Sequence, residues 1–353
     1  MFKILLGAGL IIFLFILLLI YKIGTMVNVA KGKKEGPASR SNHVNGVLML
    51  LFLLISGAVT IYFSYSWYDD YKLPIASAHG VDVDLLFWWT MVITGIAFVV
   101  TEVLLFYFAF RYRYRKGQKV SFYPDNSKLE IIWTIVPAVV LTILILYGLN
   151  VWTEVTDKAP ENAEVIEIMG MQFAWQTRYP GADNKLGKYD YKLIDAGNIF
   201  GMDLSDKNSF DDFTPREMHL PKGKPVLLKI RARDVLHSVF APYFRLKMDA
   251  VPGMPTRFWF VPTKTTKEMR DETGNPDFNY EIACAEICGK GHFSMRYLVV
   301  VDTPEDYEKW KESQKTWLSL NPEYLSKVPE NLREVAAVAS GIEEESNTEK
   351  ASL

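Results

Sequence analysis

The feature that most limits this chain is a break at Trp152: the long apolar runs come before it, and nearly all later sequence is water-soluble in character. Four segments are apolar and long enough to cross a bilayer, which takes about 20 residues. They are Ile4–Ile20, Val47–Tyr68, Leu85–Phe110 and Ile131–Trp152. Lipid satisfies no backbone polar group, so such segments are expected to be helices. The first is short enough to raise the question of a signal peptide. It lacks an A-x-A-like cleavage site, and its positive charge mostly follows it, so an uncleaved helix is the reading.

Loop charge orients these helices. Lys22, Lys31, Lys33, Lys34 and Arg40 follow the first, and Arg111, Arg113, Arg115, Lys116 and Lys119 follow the third. The intervening loop carries Asp69, Asp70, Asp82 and Asp84 against Lys72 alone. Both basic loops are therefore expected in the cytoplasm, with everything after Trp152 on the outer side, the periplasm in a bacterium. Glu102 is expected to pair with an arginine of the basic cluster, and Glu130 opens the fourth helix, where an acid complements the macrodipole.

After Trp152 the pattern becomes short runs such as Val165–Ile168, Pro225–Ala232, Arg257–Val261, Tyr280–Ala283 and Arg296–Val301, bounded by turn residues. Many short strands without helical spacing between them imply an all-β sandwich or barrel. Tyr179–Lys224 is polar and turn-rich and reads as long surface loops; Pro304–Leu318 reads as an amphipathic helix, and the tail after Pro329 as disordered towards its end. The division is thus 1–68, two helices; 69–84, an outer loop; 85–152, a helical hairpin; 153–303, the β domain; 304–353, a C-terminal helix and tail.

A formal net charge of −2, with no basic stripe, speaks against nucleic acid as a partner. The two cysteines are too few for a disulfide framework or a ribbon-type zinc site, and no C-x-x-C-H haem signature occurs. What they do form is denser. Cys284, Cys288, His292 and Met295 fall within twelve residues, between two strand-like runs, with Gly289 and Gly291 allowing tight turns. A second imidazole, His237, follows an earlier strand-like run. Soft sulfur with imidazole selects copper or zinc over hard cations. A disulfide leaves the flanking His and Met without a role. A zinc site with His237 and His292 accounts for four donors but not Met295. Copper with a weak axial methionine accounts for all five.

These residues resemble cytochrome c oxidase subunit II, with its binuclear CuA centre. The family motif C-x-E-x-C-x-x-x-H-x-x-M is complete from Cys284 to Met295. V-L-H-S appears as Val235-Leu236-His237-Ser238, followed by Leu246 to Gly253, and E-x-x-W-T-x-x-P as Glu130, Trp133, Thr134 and Pro137. The aromatic segment appears in altered form as Gln172-Phe173-Ala174-Trp175. The likeness covers roughly Leu85 to Tyr307.

The resemblance implies a cupredoxin-like β-sandwich after the helices. One copper ion would be held by His237 and Met295, the other by His292 and the Glu286 carbonyl, with Cys284 and Cys288 bridging both. The Glu286 side chain would share a Mg²⁺ or Mn²⁺ with subunit I, and Glu130 would mark a proton-channel mouth. The chain would take electrons from cytochrome c, or a tethered c-type cytochrome domain, and pass them to the haem of subunit I for reduction of dioxygen to water coupled to proton pumping. Subunit III and membrane lipid are further implied partners, and the bacterial inner membrane the location, with the copper domain outside. The CuA subunit of a nitric-oxide reductase and a structural zinc protein are the competing readings. Period two in the aromatic segment puts Phe173 and Trp175 on one face, as an electron-entry patch, with Asp183, Asp190, Asp211 and Asp212 steering a basic donor. The chain departs from the family in its two leading helices, in a longer stretch between Val261 and Tyr280, and in Phe173 where tryptophan is usual.

Overall fold

The computed structural model describes residues 2–31, 40–115 and 117–342. Lys33, Lys34, Ser39, Lys116 and the tail's acidic end fall outside them. Four helices run through the first part: α1 (Phe2–Ala30), α2 (Arg40–Ser66), α4 (Gly80–Arg111) and α5 (Ser127–Thr156), with the single turn α3 (Tyr68–Tyr71) after α2. Each of the four is long and apolar enough to span a membrane. Each also outruns its apolar run at one end or both, because polar residues such as Ser127 and Asp82 continue the helix into the interface. Pro137 lies inside α5, which continues past it.

By internal contacts the chain forms two units, 1–69 with 91–134, and 70–90 with 135–353. In the first, Phe52 of α2 meets Phe106 of α4 at a 5.3 Å ring separation. Arg113 reaches His43 Nδ1 at 3.0 Å and donates to the Phe110 carbonyl at 2.5 Å. Glu102 is half-buried and makes no ion pair among the described residues, so the expected arginine partner is not found.

The second unit is a sandwich of two sheets. One has the order β2-β1-β4-β7: β1 (Glu164–Met171), β2 (Ala174–Arg178), β4 (Val226–Ala232), β7 (Thr256–Phe260). The other runs β3-β9-β8-β5-β6: β3 (Met218–Pro221), β5 (His237–Ala241), β6 (Leu246–Ala250), β8 (Tyr280–Cys284), β9 (Arg296–Asp302). Pairing is antiparallel except β1 with β4 and β3 with β9. Between the sheets lie Ile166, Ile168, Leu228, Ile230, Phe258, Val239, Ile282 and Val299, all buried. Helix α6 (Thr266–Thr273), closed by a Thr265/Glu268 capping box, fills the longer stretch before β8.

Two parts of this unit depart from the sequence reading. Tyr179–Lys224 is not a set of surface loops. Phe200, Met202, Leu204 and Phe210 are buried in a second core with Trp317, Leu318, Tyr324, Val328 and Ala336. The expected helix Pro304–Leu318 is broken into α7 (Pro304–Glu312) and the turn α8 (Trp317–Leu320), and α9 (Arg333–Ser340) follows. Apolar residues without period gave no sign of burial because their partners lie over a hundred positions away. Beneath this cover β1 is buried on both faces, and Glu167 bridges Arg178 and Arg231 at 2.6 Å each. Asp212 pairs with Arg178 at 3.2 Å and is buried, so it is no steering charge.

The segment from Leu73 to Gly80, between α3 and α4, straps onto the sandwich. Ala76 N–H donates to the Tyr243 carbonyl, Thr263 N–H to Ala76, and Ala78 N–H to Val261, at 2.9 to 3.0 Å. Ala76 is fully buried in the main core. Arg245 holds both oxygens of Asp84 and the Leu73 carbonyl.

Candidate metal centre

The cluster is built by two adjacent strands. β8 ends at Cys284, and β5, paired beside it, begins at His237; Val239 stands opposite Cys284 in the register. The chain then loops out and returns through a single turn, His292–Ser294, into β9. Cys284 N–H donates to the Met295 carbonyl at 3.1 Å, and Ala285 N–H to Ser238 at 3.0 Å, so the sheet grips both ends of the loop.

Both cysteines are free thiols. Their sulfurs stand 4.0 Å apart at the centre of the cluster. Cys284 Sγ lies 3.8 Å from His237 Nδ1 and 3.2 Å from the Glu286 carbonyl oxygen. Cys288 Sγ lies 3.7 Å from His292 Nδ1 and 3.9 Å from Met295 Sδ. Two donors about 2.0–2.3 Å from one tetrahedral metal stand about 3.3–3.8 Å apart, so these separations suit metal coordination. Thiol, imidazole and thioether donors together suit a soft or borderline metal such as copper. Burial, then the neighbouring Cys284, pushes the Cys288 thiol up to about 11. A metal must displace that proton to bind.

His237 is fully buried, and its Nε2 meets Asp234 Oδ1 at 2.8 Å. That leaves Nδ1 for the sulfur side. Burial works against the Asp234 carboxylate, but hydrogen bonds from Gln172 N–H, His237 and Val235 N–H outweigh it and hold its pKa below the usual range. Sequence reasoning missed Asp234 as an orienter. Its place three residues before His237 was the available signal. Gln172 was read only as a neighbour of aromatics, yet its Nε2 donates to the Cys288 carbonyl at 2.6 Å.

Phe173 and Trp175 do not share a face as expected. Residues 172 and 173 form the turn between β1 and β2, so strand alternation starts only at Ala174. Phe173 is 38% exposed and covers the metal loop; a Cβ on Gly291 would lie 2.5 Å from its ring. Trp175 is 2% exposed, with its ring 5.8 Å from that of His237. Glu286 is exposed. Glu130 belongs to the other unit. It is exposed at the head of α5, where its Oε1 accepts a long 3.5 Å bond from Asn126 N–H.

Residues 66–151 match the family model of the cytochrome c oxidase subunit II transmembrane domain, and residues 164–303 that of its periplasmic domain. The alternative cytochrome c oxidase subunit 2 of Bradyrhizobium diazoefficiens is 36% identical over 282 residues, spanning 78% of this chain and 94% of the relative. Cytochrome c oxidase subunit 2 of Thermostichus vulcanus is 29% identical over 324 residues, 75% of this chain and 85% of the relative. Among solved structures, the periplasmic domain of subunit II of cytochrome oxidase of Bradyrhizobium japonicum is 23% identical, covering 45% of this chain and 97% of that one, with a TM-score of 0.30. The helices α1 and most of α2, and everything from α7 onward, lie outside both family matches. With four apolar helices ahead of a cupredoxin-like sandwich, and a cysteine-histidine cluster on that sandwich, the chain belongs to the cytochrome c oxidase subunit II family.

Proposed function

We propose that this chain is the electron-entry subunit of a respiratory haem–copper oxidase, and that its cluster holds two copper ions. The arrangement of donors carries this reading. His237 Nδ1 and both sulfurs lie within 4.8 Å of one another, and His292 is outside that group while meeting Cys288 at 3.7 Å. One tetrahedral ion needs all four donors mutually close. A pair of ions would not need this, and His237, Cys284, Cys288, His292, Met295 and the Glu286 carbonyl would hold such a pair between them.

When bound, the copper pair supplies a one-electron carrier. The residues of this chain fix where that carrier sits. Cys284 and His237 are held in neighbouring strands, Asp234 sets the ring of His237, and Phe173 seals the loop from above. Preorganised donors move little when charge changes. The electron would come from cytochrome c or a tethered c-type domain and pass to the haem of subunit I, where dioxygen is reduced to water with proton pumping. The exposed carboxylate of Glu286 suits an oxygen-seeking Mg²⁺ or Mn²⁺ shared with that subunit. Glu130, at the head of α5, would admit protons to it. Subunit III completes the assembly, in a bacterial inner membrane.

Metal analysis and electron paramagnetic resonance of the purified complex test this. The expected result is two coppers per chain, with a mixed-valence signal that Cys288→Ser abolishes. Stoichiometric zinc and a silent spectrum would defeat it. Turnover of nitric oxide in place of dioxygen by the co-purified subunits would move the chain to the reductase branch.

A further inference from the structure

We infer that Gln172 is a positioning residue for the copper centre, although it offers no ligand. The inference rests on the two-copper reading above and deepens it.

The two segments that carry the donors are far apart in sequence: His237 on β5, and Cys284 to Met295 around the loop. Gln172, in the turn between β1 and β2, reaches both. Its backbone N–H donates to Asp234 Oδ2 at 2.7 Å. The other oxygen of that carboxylate takes His237 Nε2 at 2.8 Å. Its side chain crosses the other way, Nε2 to the carbonyl of Cys288 at 2.6 Å. One residue therefore fixes the orientation of one imidazole and the height of one bridging sulfur.

The loop is shaped to receive it. A Cβ on Gly289 would stand 3.0 Å from Gln172 Nε2 and 3.0 Å from Phe173 Cζ. Gly289 also has φ +131°, a region side chains avoid. A carbonyl can only accept, so the side-chain atom facing it must be the amide nitrogen. That makes the contact chemically selective. Methionine keeps the reach and loses the donor; glutamate keeps the shape and sets an acceptor against an acceptor. Groups that orient metal ligands typically change metal affinity about 10–100-fold when removed.

The test uses the intact oxidase, reduced and challenged with bathocuproine disulfonate as the copper acceptor. Gln172→Met should release copper about tenfold faster than wild type, the low end for an outer contact, and Gln172→Glu faster still. Both should show altered copper hyperfine splitting, with haem content and subunit composition unchanged. Wild-type release and spectra in either variant overturn the inference. So does faster release accompanied by loss of haem or a subunit, which would make Gln172 a folding residue. A wild-type complex without copper would instead defeat the two-copper reading, so the two failures are distinguishable.

Discussion

The imidazole of His237 is turned by Asp234, three residues before it, through a 2.8 Å contact from Nε2 to Oδ1. The carboxylate selects the tautomer that leaves Nδ1 for coordination. Asp234→Asn keeps an acceptor but gives up the charge and sets an amide N–H against Gln172 N–H. Copper retention should fall about tenfold, read by competition with a chelator; undiminished retention would show the ring is held by packing alone.

Phe173 lies over the metal loop at the surface, and Trp175 lies beneath it. Phe173→Ala is therefore expected to slow reduction of copper by the native donor in stopped flow, at full copper content. Trp175→Ala is expected to lose copper first, because truncating a buried aromatic costs about 3–5 kcal/mol. Equal rates in wild type and Phe173→Ala would put electron entry elsewhere, with Phe293 and Lys290 of the same loop the next candidates.

Glu130→Gln should slow oxygen turnover while reduction of copper keeps its wild-type rate. If turnover is unchanged, the carboxylate is only a helix-start acid.

Topology can be read by labelling. Ser77, in the acidic loop, is 1% exposed and a poor reporter; Tyr71 is 69% exposed. An impermeant thiol reagent added outside intact cells should modify Tyr71→Cys and spare Ser121→Cys, which lies between α4 and α5. The reverse pattern would invert the molecule and contradict the loop charges.

His79, in the strap, is buried against Phe258, and its Nε2 has no hydrogen-bond partner among the described residues. Burial lowers its pKa to about 4, against smaller opposing effects of Asp82 and the Phe244 carbonyl. The unfolded strap then binds the proton more readily than the folded one. Stability is full above about 6.5 and declines as pH falls towards 4, by about 3 kcal/mol in all. Protection of residues 73–80 against hydrogen exchange, measured relative to the intrinsic rate at each pH, should fall over that window and stay constant in His79→Phe. A flat profile in the wild type would rule the effect out.

The five candidate donors could be picked out in the sequence because they sit in two short stretches, which the structure brings together. The strands richest in Val, Ile and Phe were visible for the same local reason. What escaped was contact between distant segments. β2 was hidden because the turn at Gln172 and Phe173 breaks the alternation. Gln172 reaches Asp234 and Cys288 across 62 and 116 positions, and no local pattern marks such bonds. The same holds for Phe200 and Phe210, which look like loop residues until Trp317 and Tyr324 close over them.

The strap also bears on biogenesis. Ala76 precedes α4, α5 and every strand of the sandwich in the chain, so it is synthesised before them. The sandwich must then close around a piece of chain already waiting on the outer side. A secreted fragment beginning at Glu161 would leave the seat of Ala78 and His79 open on Val261 and Phe258, however complete its set of candidate donors. Closure of the sandwich is in this way tied to insertion of both helices: a copy in which only one of α4 and α5 crossed the bilayer would leave the strap and the sandwich on opposite sides.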